Sequence, residues 1–591
     1  MKVNYFYFGI LFVILSCLHI YHLLLIQNIS PAHYSFYILY ACAQCLIETA
    51  LLALLSTFIT NPLFTLLTFL LFLAHIVDFS TIRILGMTVW YIFGFIFAES
   101  FDNFIEMLYA THLSLLYWAI GGLIAFGLIT SSLAFFKKCN HLSSKRPLIL
   151  RRKPAFFSLG GALVALCTLG SFAPEHTHCI QTLPWKTTFA TSTYPAFQVG
   201  PIAPDLSEET YLKQLEKLSL KAKKKPNIYL LIAESLRDDF ITEEIAPHLA
   251  LFKKPYPAFS AANGTHLSWF SIFHSAFPLY WESRDPKLWK SGSLPLRLLK
   301  TAGYTINVYS SSRLSYYRMD ERLFGEKAHL VDHLHLFGDP SRQNHENDAA
   351  CMAAVTKTLN QGDGQLCIIF LESTHFGYSW PSEKTAFPAP PSINYFHAAY
   401  SNEAAKGIKN RYKNAIHFID SLFGDFLDTL KNSRFGKEAV VVFTGDHGEE
   451  FFEEGAIFHA SNLSPMQTQV PLYFKLGTTK LAEQPFASHL DIFPTLLHHV
   501  FGKEVYHEWF DGESLLRPRK APFALSARYN ASRAPTEFLL HNGTKELRFR
   551  LKSSGTLECL VHRDAGKDLP LEEAAIRSSF QAAVHSLFPM D

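Results

Sequence analysis

The sequence predicts an α-helical membrane domain joined to an α/β domain whose central, mostly parallel sheet is covered by helices, with a small antiparallel subdomain at the C-terminus. Three observations carry this reading. Residues 1–173 are dense in Leu, Ile and Phe and poor in charge. From Pro226 onward, strand-like apolar runs alternate with helical periods, which is the pattern of a parallel sheet covered on both faces. Beyond about 520 the runs FALSARY, EFLLHNG and ELRFRLK are short and alternating, as antiparallel strands are.

At 591 residues the chain exceeds a single ordinary domain, and its apolar fraction of 49% averages two unlike parts. The formal charge of +2 leaves no basic field over the whole chain, which argues against nucleic acid as a partner. A membrane span needs roughly 20 mainly apolar residues, and this places spans near 6–26, 36–58, 62–82, 113–136 and 156–173. The first is too long for a removed signal peptide and lacks a small-residue cleavage site. Met87–Ala98 is too short to span and reads as an interfacial or re-entrant helix. The Lys and Arg residues of 135–153 mark the cytoplasmic side. The N-terminus is then cytoplasmic, and the rest of the chain lies across the membrane. In a bacterium that means a multi-pass inner-membrane protein with its large domain in the periplasm.

Residues 174–225 read as a linker ending in an amphipathic helix, with Lys221–Lys225 as its solvated end. Nine cysteines show no metal-type pair in the exported part, where Cys179, Cys351, Cys367 and Cys559 are the ones open to disulfide formation, in a pairing the sequence leaves undecided. Residues 226–520 hold the α/β pattern, with strands expected at 227–233, 305–310, 366–371, 439–443 and 470–476. Helices are expected at Leu294–Ala302 and Asn410–Lys431, where Ile416, Ile419, Phe423, Phe426 and Leu430 recur at helical spacing. The antiparallel subdomain occupies 521–591.

Three of the strand-like runs end in groups able to hold a metal. NIYLLIA stops at Glu234, LCIIFLES stops at Thr374-His375, and Ala439–Phe443 delivers TGDHGEE. In open parallel sheets, ligands collect at the carboxyl ends of the strands. Glu234, Asp446 and His447 would supply two carboxylates and an imidazole, a donor set for Zn, or for Mn where oxygen dominates. A fourth position is open to a nucleophile. Thr265 follows Asn263-Gly264 and precedes a helix expected over Leu267–Ala276; the glycine permits a tight turn, and the helix start offers N–H groups to an anion. A hydroxyl on a metal loses its proton easily, although Thr is also a suitable helix cap. His266 reads as a neighbour, Arg313 as a surface residue, His417 and Asp420 as packing or surface residues, and Glu449–Glu454 as a solvated loop.

These residues resemble the alkaline phosphatase/sulfatase superfamily over 226–500, nearest its membrane-bound branch of lipoteichoic acid synthases and phosphoethanolamine transferases. The matching motifs are ESLRDD at 234–239, NGTHLSWFS at 263–271, RYKNAIHFID at 411–420, TGDHGEE at 444–450, VPLYFKLG at 470–477 and HLDIFPTLL at 489–497. The resemblance implies an alkaline-phosphatase-like fold and a site of one or two divalent ions. By motif it makes Glu234, Thr265, Asp446 and His447 the metal-binding set, Thr265 the nucleophile, and His375 and His459 substrate-phosphate or second-metal residues. The five-span anchor, the VWYIFGFIF element and the tail also resemble the YejM-type inner-membrane proteins, which monitor lipopolysaccharide. Those proteins have degraded the Asp-His motif that this chain keeps, which favours catalysis. True sulfatases use a cysteine in a C-x-P/A-x-R context, which this chain lacks. The expected activity is therefore metal-dependent transfer of a phosphoethanolamine- or phosphoglycerol-like group, from a phospholipid to a lipid or glycan envelope acceptor, through a phosphothreonine. The alternatives are a lipopolysaccharide-sensing regulator with a non-catalytic sulfatase-like domain, and a phosphodiesterase or sulfatase-type hydrolase.

Overall fold

The computed structural model describes residues 3–26, 31–59, 62–85, 88–98, 115–148, 152–172, 179–180, 182–189, 213, 216–218, 220–253, 256–281, 286–392, 402–454, 456–529, 535–551 and 557–571. The chain divides into two compact units, Met1–Ser100 with Met107–Thr193, and Phe101–Glu106 with Tyr194–Asp591.

The first unit is helical: α1 (Tyr5–Leu24), α2 (Pro31–Leu55), α3 (Pro62–Leu85), α4 (Val89–Ala98), α5 (Leu115–Lys145), α6 (Arg152–Gly170) and the short α7 (Pro184–Phe189). Proline opens α2 and α3, where its missing N–H has no intrahelical partner to lose. Asn4 caps α1, its side chain accepting from Tyr7 N. Five of these helices are long and apolar enough to cross a membrane: Tyr5–Leu24, Pro31–Leu55, Pro62–Ile82, Ala119–Lys145 and Lys153–Gly170. The fourth runs further than the sequence suggests, because Lys137–Lys145 continue the helix beyond the apolar stretch. Tyr7, Phe8, Leu11 and Leu15 of α1 pack with Cys45, Phe64 and Cys139, while Leu123 and Phe126 of α5 point outward. An apolar exterior around a packed helical core suits a lipid surrounding. The amphipathic helix expected before residue 225 falls largely outside the described residues, and Lys221–Lys225 are not helical.

In the second unit, six strands form the central sheet: β1 (Ile228–Ala233), β2 (Thr305–Ser310), β3 (His333–Leu336), β4 (Gln365–Leu371), β5 (Val440–Gly445) and β6 (Leu472–Leu476). Their order is β3-β2-β4-β1-β5-β6, parallel throughout except for β6, which runs antiparallel to β5. β1 is buried at every position, as a strand covered on both faces must be. On one face Ile228, Leu230 and Ile232 share a core with Trp269 and Phe273 of α8 (Thr265–His274), and with Phe493 and Leu496 from a later helix, Ile492–Phe501. On the other, Tyr229 meets Phe426 at 5.3 Å between ring centroids, and Phe423 meets Phe443 at 5.1 Å. Phe423 and Phe426 lie on the long helix Asn402–Lys431.

The expected strands are present, and β3 is an addition. Its sequence HLHL is exposed along its whole length at the sheet edge, and the alternating histidines break the apolar run by which a strand is recognised. The C-terminal strands Ala524–Tyr529, Pro535–His541, Lys545–Leu551, Leu557–Asp564 and Lys567–Asp568 pair in sequence order as an antiparallel sheet. Leu525, Phe538, Leu547 and Phe549 of this sheet share a core with Leu267 and Phe270 of α8. All nine cysteines are free thiols.

Asp420, on the long helix, is not a surface residue. It is buried and accepts from Leu249 N at 2.7 Å, His248 N at 3.1 Å and His248 Nδ1 at 2.8 Å, closing the start of a short helical turn, Pro247–Ala250. Asp420→Ala is expected to destabilise the fold by about 2 kcal/mol, because buried donors lose their acceptor. The measurement is a lowered Tm with the turnover of the folded protein unchanged.

Candidate active site

Register builds the site. Ala233 pairs with Gly445 on one side and with Leu371 on the other, so the residues just past these strands emerge side by side. Glu234 leaves β1, Asp446-His447 leave β5, and the loop after β4 carries Thr374 and His375. The two glycines flanking Asp446-His447 have a steric reason to be there. A Cβ on Gly445 would collide with the Leu236 carbonyl oxygen, and one on Gly448 with that of Met466.

Thr265 is the first residue of α8, and Gly264 is its N-cap. The Thr265 hydroxyl does not cap the helix. It lies 3.3 and 3.2 Å from Glu234 Oε1 and Oε2, and 3.3 Å from His447 Nε2. Two expectations need correction here. The helix starts two residues earlier than the sequence suggests, and Gly264 is extended (φ −154°) with room for a Cβ, so no tight turn demands glycine there.

Ligand atoms of Glu234, Asp446 and His447 all lie within 4.8 Å of one another, as do those of Glu234, His375 and His459. Both groups share Glu234. His447 Nδ1 faces the Gly448 carbonyl at 3.0 Å; a carbonyl only accepts, so Nδ1 bears the proton and Nε2 aims its lone pair into the site. Asp446 Oδ1 accepts from Ser235 N at 2.9 Å and His447 N at 2.8 Å, whereas Oδ2 is buried without a hydrogen-bond partner among the described residues. An orphaned carboxylate oxygen beside a directed imidazole lone pair is what a bound divalent cation would satisfy, so the donors present fit a metal.

The electrostatics agree. Burial pushes the Asp446 carboxyl well above its usual range, and the adjacent Glu234 carboxylate adds to this. Burial also acts on Glu234, but the His447 imidazole outweighs it and holds that carboxyl below its usual range. Burial lowers His447, but without a cation the Glu234 carboxylate favours a second proton, on Nε2, and the imidazole is raised overall. His375 is held down by burial. Two carboxyls in so little space cannot both ionise cheaply without a cation.

Sequence reasoning missed one member of the site. The run Glu449–Glu454 is not a solvated loop: Glu449 and Glu450 are fully buried. Glu449 accepts from Tyr378 OH at 3.1 Å, and its Oε2 lies 3.1 Å from His459 Nδ1, which fixes that ring with Nε2 free. Glu450 accepts from Asn462, Ser464 and Gln467, and so braces the loop that carries His459. Arg237, also buried, donates to the Glu449 carbonyl at 2.9 Å and to Glu453 at 3.0 Å. The only sequence signal was position: two carboxylates directly after Asp-His-Gly. His266, next to Thr265, stacks on Tyr317 at 3.8 Å between centroids.

Residues 226–503 match the model of the Sulfatase family. A "Sulfatase" of Formosa agariphila is 34% identical over 122 residues, covering 20% of this chain and 23% of that protein. A "Choline-sulfatase" of Rhizobium meliloti is 27% identical over 151 residues, covering 24% of this chain and 29% of that protein. The chain thus spans about a quarter of the length of the curated relatives it matches. Among solved structures, the lipoteichoic acid synthase LtaP of Listeria monocytogenes superimposes with a TM-score of 0.44 at 17% identity, over 64% of this chain and 96% of that one.

Proposed function

We propose that the sulfatase-type enzyme domain at 226–503 transfers a phospho-alcohol group from a phospholipid to an envelope acceptor, with Thr265 as nucleophile and with Glu234, Asp446, His447 and the Thr265 hydroxyl holding a Zn or Mn ion. The observation that supports this most is the Thr265 hydroxyl itself, held 3.2–3.3 Å from Glu234 and His447 instead of capping its helix. The bound cation would supply charge to lower the hydroxyl's proton affinity and to offset negative charge on phosphoryl oxygens.

Glu234 accepts the hydrogen bond of the Thr265 hydroxyl and orients its oxygen. That oxygen gives its proton to Glu234 as it attacks phosphorus; the Thr265 Oγ–P bond forms as the bond to the diacylglycerol oxygen breaks, and the departing oxygen takes up that proton. In the second half the acceptor hydroxyl attacks the phosphothreonine, gives up its proton, and Thr265 Oγ leaves. His375 and His459, whose ring centroids are 5.9 Å apart, line the open side, where their nitrogens meet phosphate oxygens. A threonine in this position, with no C-x-P/A-x-R cysteine in the chain, favours phosphoryl over sulfuryl chemistry.

The five apolar helices suit a donor and acceptor that both reside in a membrane, with the domain on the periplasmic side of a bacterial inner membrane. The test is mass spectrometry of the full chain after incubation with phosphatidylethanolamine or phosphatidylglycerol vesicles. A phospho-alcohol adduct on Thr265 supports transfer. An adduct that turns over to free phosphoalcohol with no acceptor assigns a hydrolase, and an adduct-free chain that binds no metal assigns a regulator.

Glu449→Gln is expected to lower kcat by about 10- to 100-fold, the range seen when the partner orienting a site histidine is lost, with a smaller change in KM. Steady-state kinetics on a soluble phosphodiester check it. An unchanged kcat would remove Glu449 from the site.

A further inference from the structure

The C-terminal sheet has two unlike faces. One turns Leu525, Phe538 and Leu547 onto α8. The other carries Arg528 with Glu537 opposite it in register, and Arg548 with Glu546 beside it at 3.1 Å. The outer face of such a sheet is ordinarily solvated. Here Arg528, Glu537, Glu546 and Arg548 are buried, each no more than 5% exposed.

The segment that carries His459 is tied to this charged face. Glu450–Phe451 and Ile457–Phe458 pair as a small antiparallel hairpin directly before His459. Between the two strands, Glu454 accepts from Arg548 Nη2 at 2.6 Å and from Arg563 Nη1 at 3.4 Å. Just past His459, the Ala460 carbonyl accepts from Arg528 Nε at 2.9 Å. Arg528 Nη1 lies 3.6 Å from Glu537 Oε2, which also accepts from Arg550 Nη2 at 3.2 Å.

The backbone on either side of His459 needs such support. Phe458 (φ +68°) and Ala460 (φ +59°) both occupy the left-handed region. For residues with a side chain this is a costly conformation that persists where the surroundings hold it. Two bonds hold Ala460: its N–H donates to the Asn263 carbonyl at 2.9 Å, and its carbonyl accepts from Arg528. The strand that bears Arg528, Ala524–Tyr529, also bridges Ala262 through Ala527, whose N–H donates to the Ala261 carbonyl at 2.9 Å. One strand thus holds both the approach to Thr265 and the exit from His459.

We propose that Arg528 is a positioning residue for His459. By holding the Ala460 carbonyl it fixes the left-handed bend that sets this imidazole beside His447, 4.3 Å away between ring centroids. Glu449 orients the ring, Arg528 fixes the backbone beneath it, and the C-terminal sheet becomes part of the active site. The inference rests on the role given to His459 in the proposed transfer.

Two variants of matched reach isolate the bond. In Arg528→Gln the amide nitrogen takes the place of arginine Nε and keeps a donor for Ala460; in Arg528→Met a methyl carbon stands there. Both lose the charge beside Glu537, which keeps Arg550. The full chain in detergent micelles is assayed on bis(p-nitrophenyl) phosphate, and amide hydrogen exchange is followed by mass spectrometry in peptides spanning 456–464. Arg528→Met is expected to lower kcat about 10- to 100-fold with a smaller change in KM. It should speed exchange at 456–464 about tenfold or more while β1 and β5 exchange as in wild type. Arg528→Gln should stay within about fivefold of wild type in both readouts. A role confined to pairing Glu537 or to general stability would move both variants alike, so equal behaviour of the two overturns the proposal. Should Arg528→Met not fold, Arg528→Gln decides, and a loss beyond that range at wild-type metal content overturns it. His459→Ala tells two failures apart. Slow turnover there, with Arg528→Met like wild type in kcat and exchange, overturns the clamp and leaves the transfer reading standing. Normal turnover there removes His459 from the transfer reading, while a contrast between the two Arg528 variants in exchange still supports the clamp.

Discussion

Thr265→Ala is expected to lower turnover by at least about 10⁴-fold while the protein stays folded and still binds metal, because the proposed covalent route loses its attacking atom. Thr265 is the first residue of α8 and its side chain makes no capping bond, so truncation leaves the helix start intact. The hydroxyl's contacts at 3.2–3.3 Å are with Glu234 and His447, which remain to hold a cation through their own donors. Thr265→Ser keeps the oxygen and should retain most of the activity. The measurements are kcat on a phosphodiester, metal content and Tm for the three proteins. Activity in the alanine variant within tenfold of wild type would move the nucleophile elsewhere.

The second large effect is expected at Asp446. Asp446→Asn should weaken divalent metal binding by at least about 100-fold, since it neutralises a proposed carboxylate ligand whose Oδ2 has no partner among the described residues. Chelation of the wild type should stop turnover, and Zn or Mn should restore it in wild type but not in the variant. Stability without metal should move the other way. The Asp446 carboxyl is raised in the folded protein by burial and by Glu234. A raised carboxyl means that the folded state holds its proton more tightly than the unfolded chain, so stability falls as pH climbs above the unfolded value of about 3.9. Asparagine removes that cost. Metal-free Asp446→Asn should therefore melt higher than metal-free wild type at neutral pH, and the order should reverse when saturating metal is added, because only the wild type gains binding energy. If the variant melts lower without metal, the buried carboxyl is satisfied by the protein itself and the metal assignment loses its physical basis.

Much of the fold was readable because it depends on local pattern. Apolar stretches of span length located the five long helices, and the alternation of apolar runs with helical periods located five of the six central strands. The sixth, HLHL, lies exposed at the edge and carries no burial signal to read. The convergence of Glu234 with Asp446-His447 was readable for the same kind of reason. Glu234 and Asp446-His447 come directly after strands, and parallel neighbours in register must deliver their next residues to one place.

What the chain determines alone is therefore periodic: which segments bury a face, where strands end, and which donors stand at those ends. Contacts between distant segments decided the rest. Glu449 looks like part of an acidic loop until Tyr378 and His459 close over it, and Asp420 stays open between packing and surface until residues 247–250 fold onto it. In the C-terminal sheet, Arg528 is one letter of the alternating run FALSARY, and tertiary packing brings it to the Ala460 carbonyl. The physical reason is common to all three cases. Whether a charged side chain is solvated, paired or protonated depends on what covers it, and the covering residues lie dozens to hundreds of positions away.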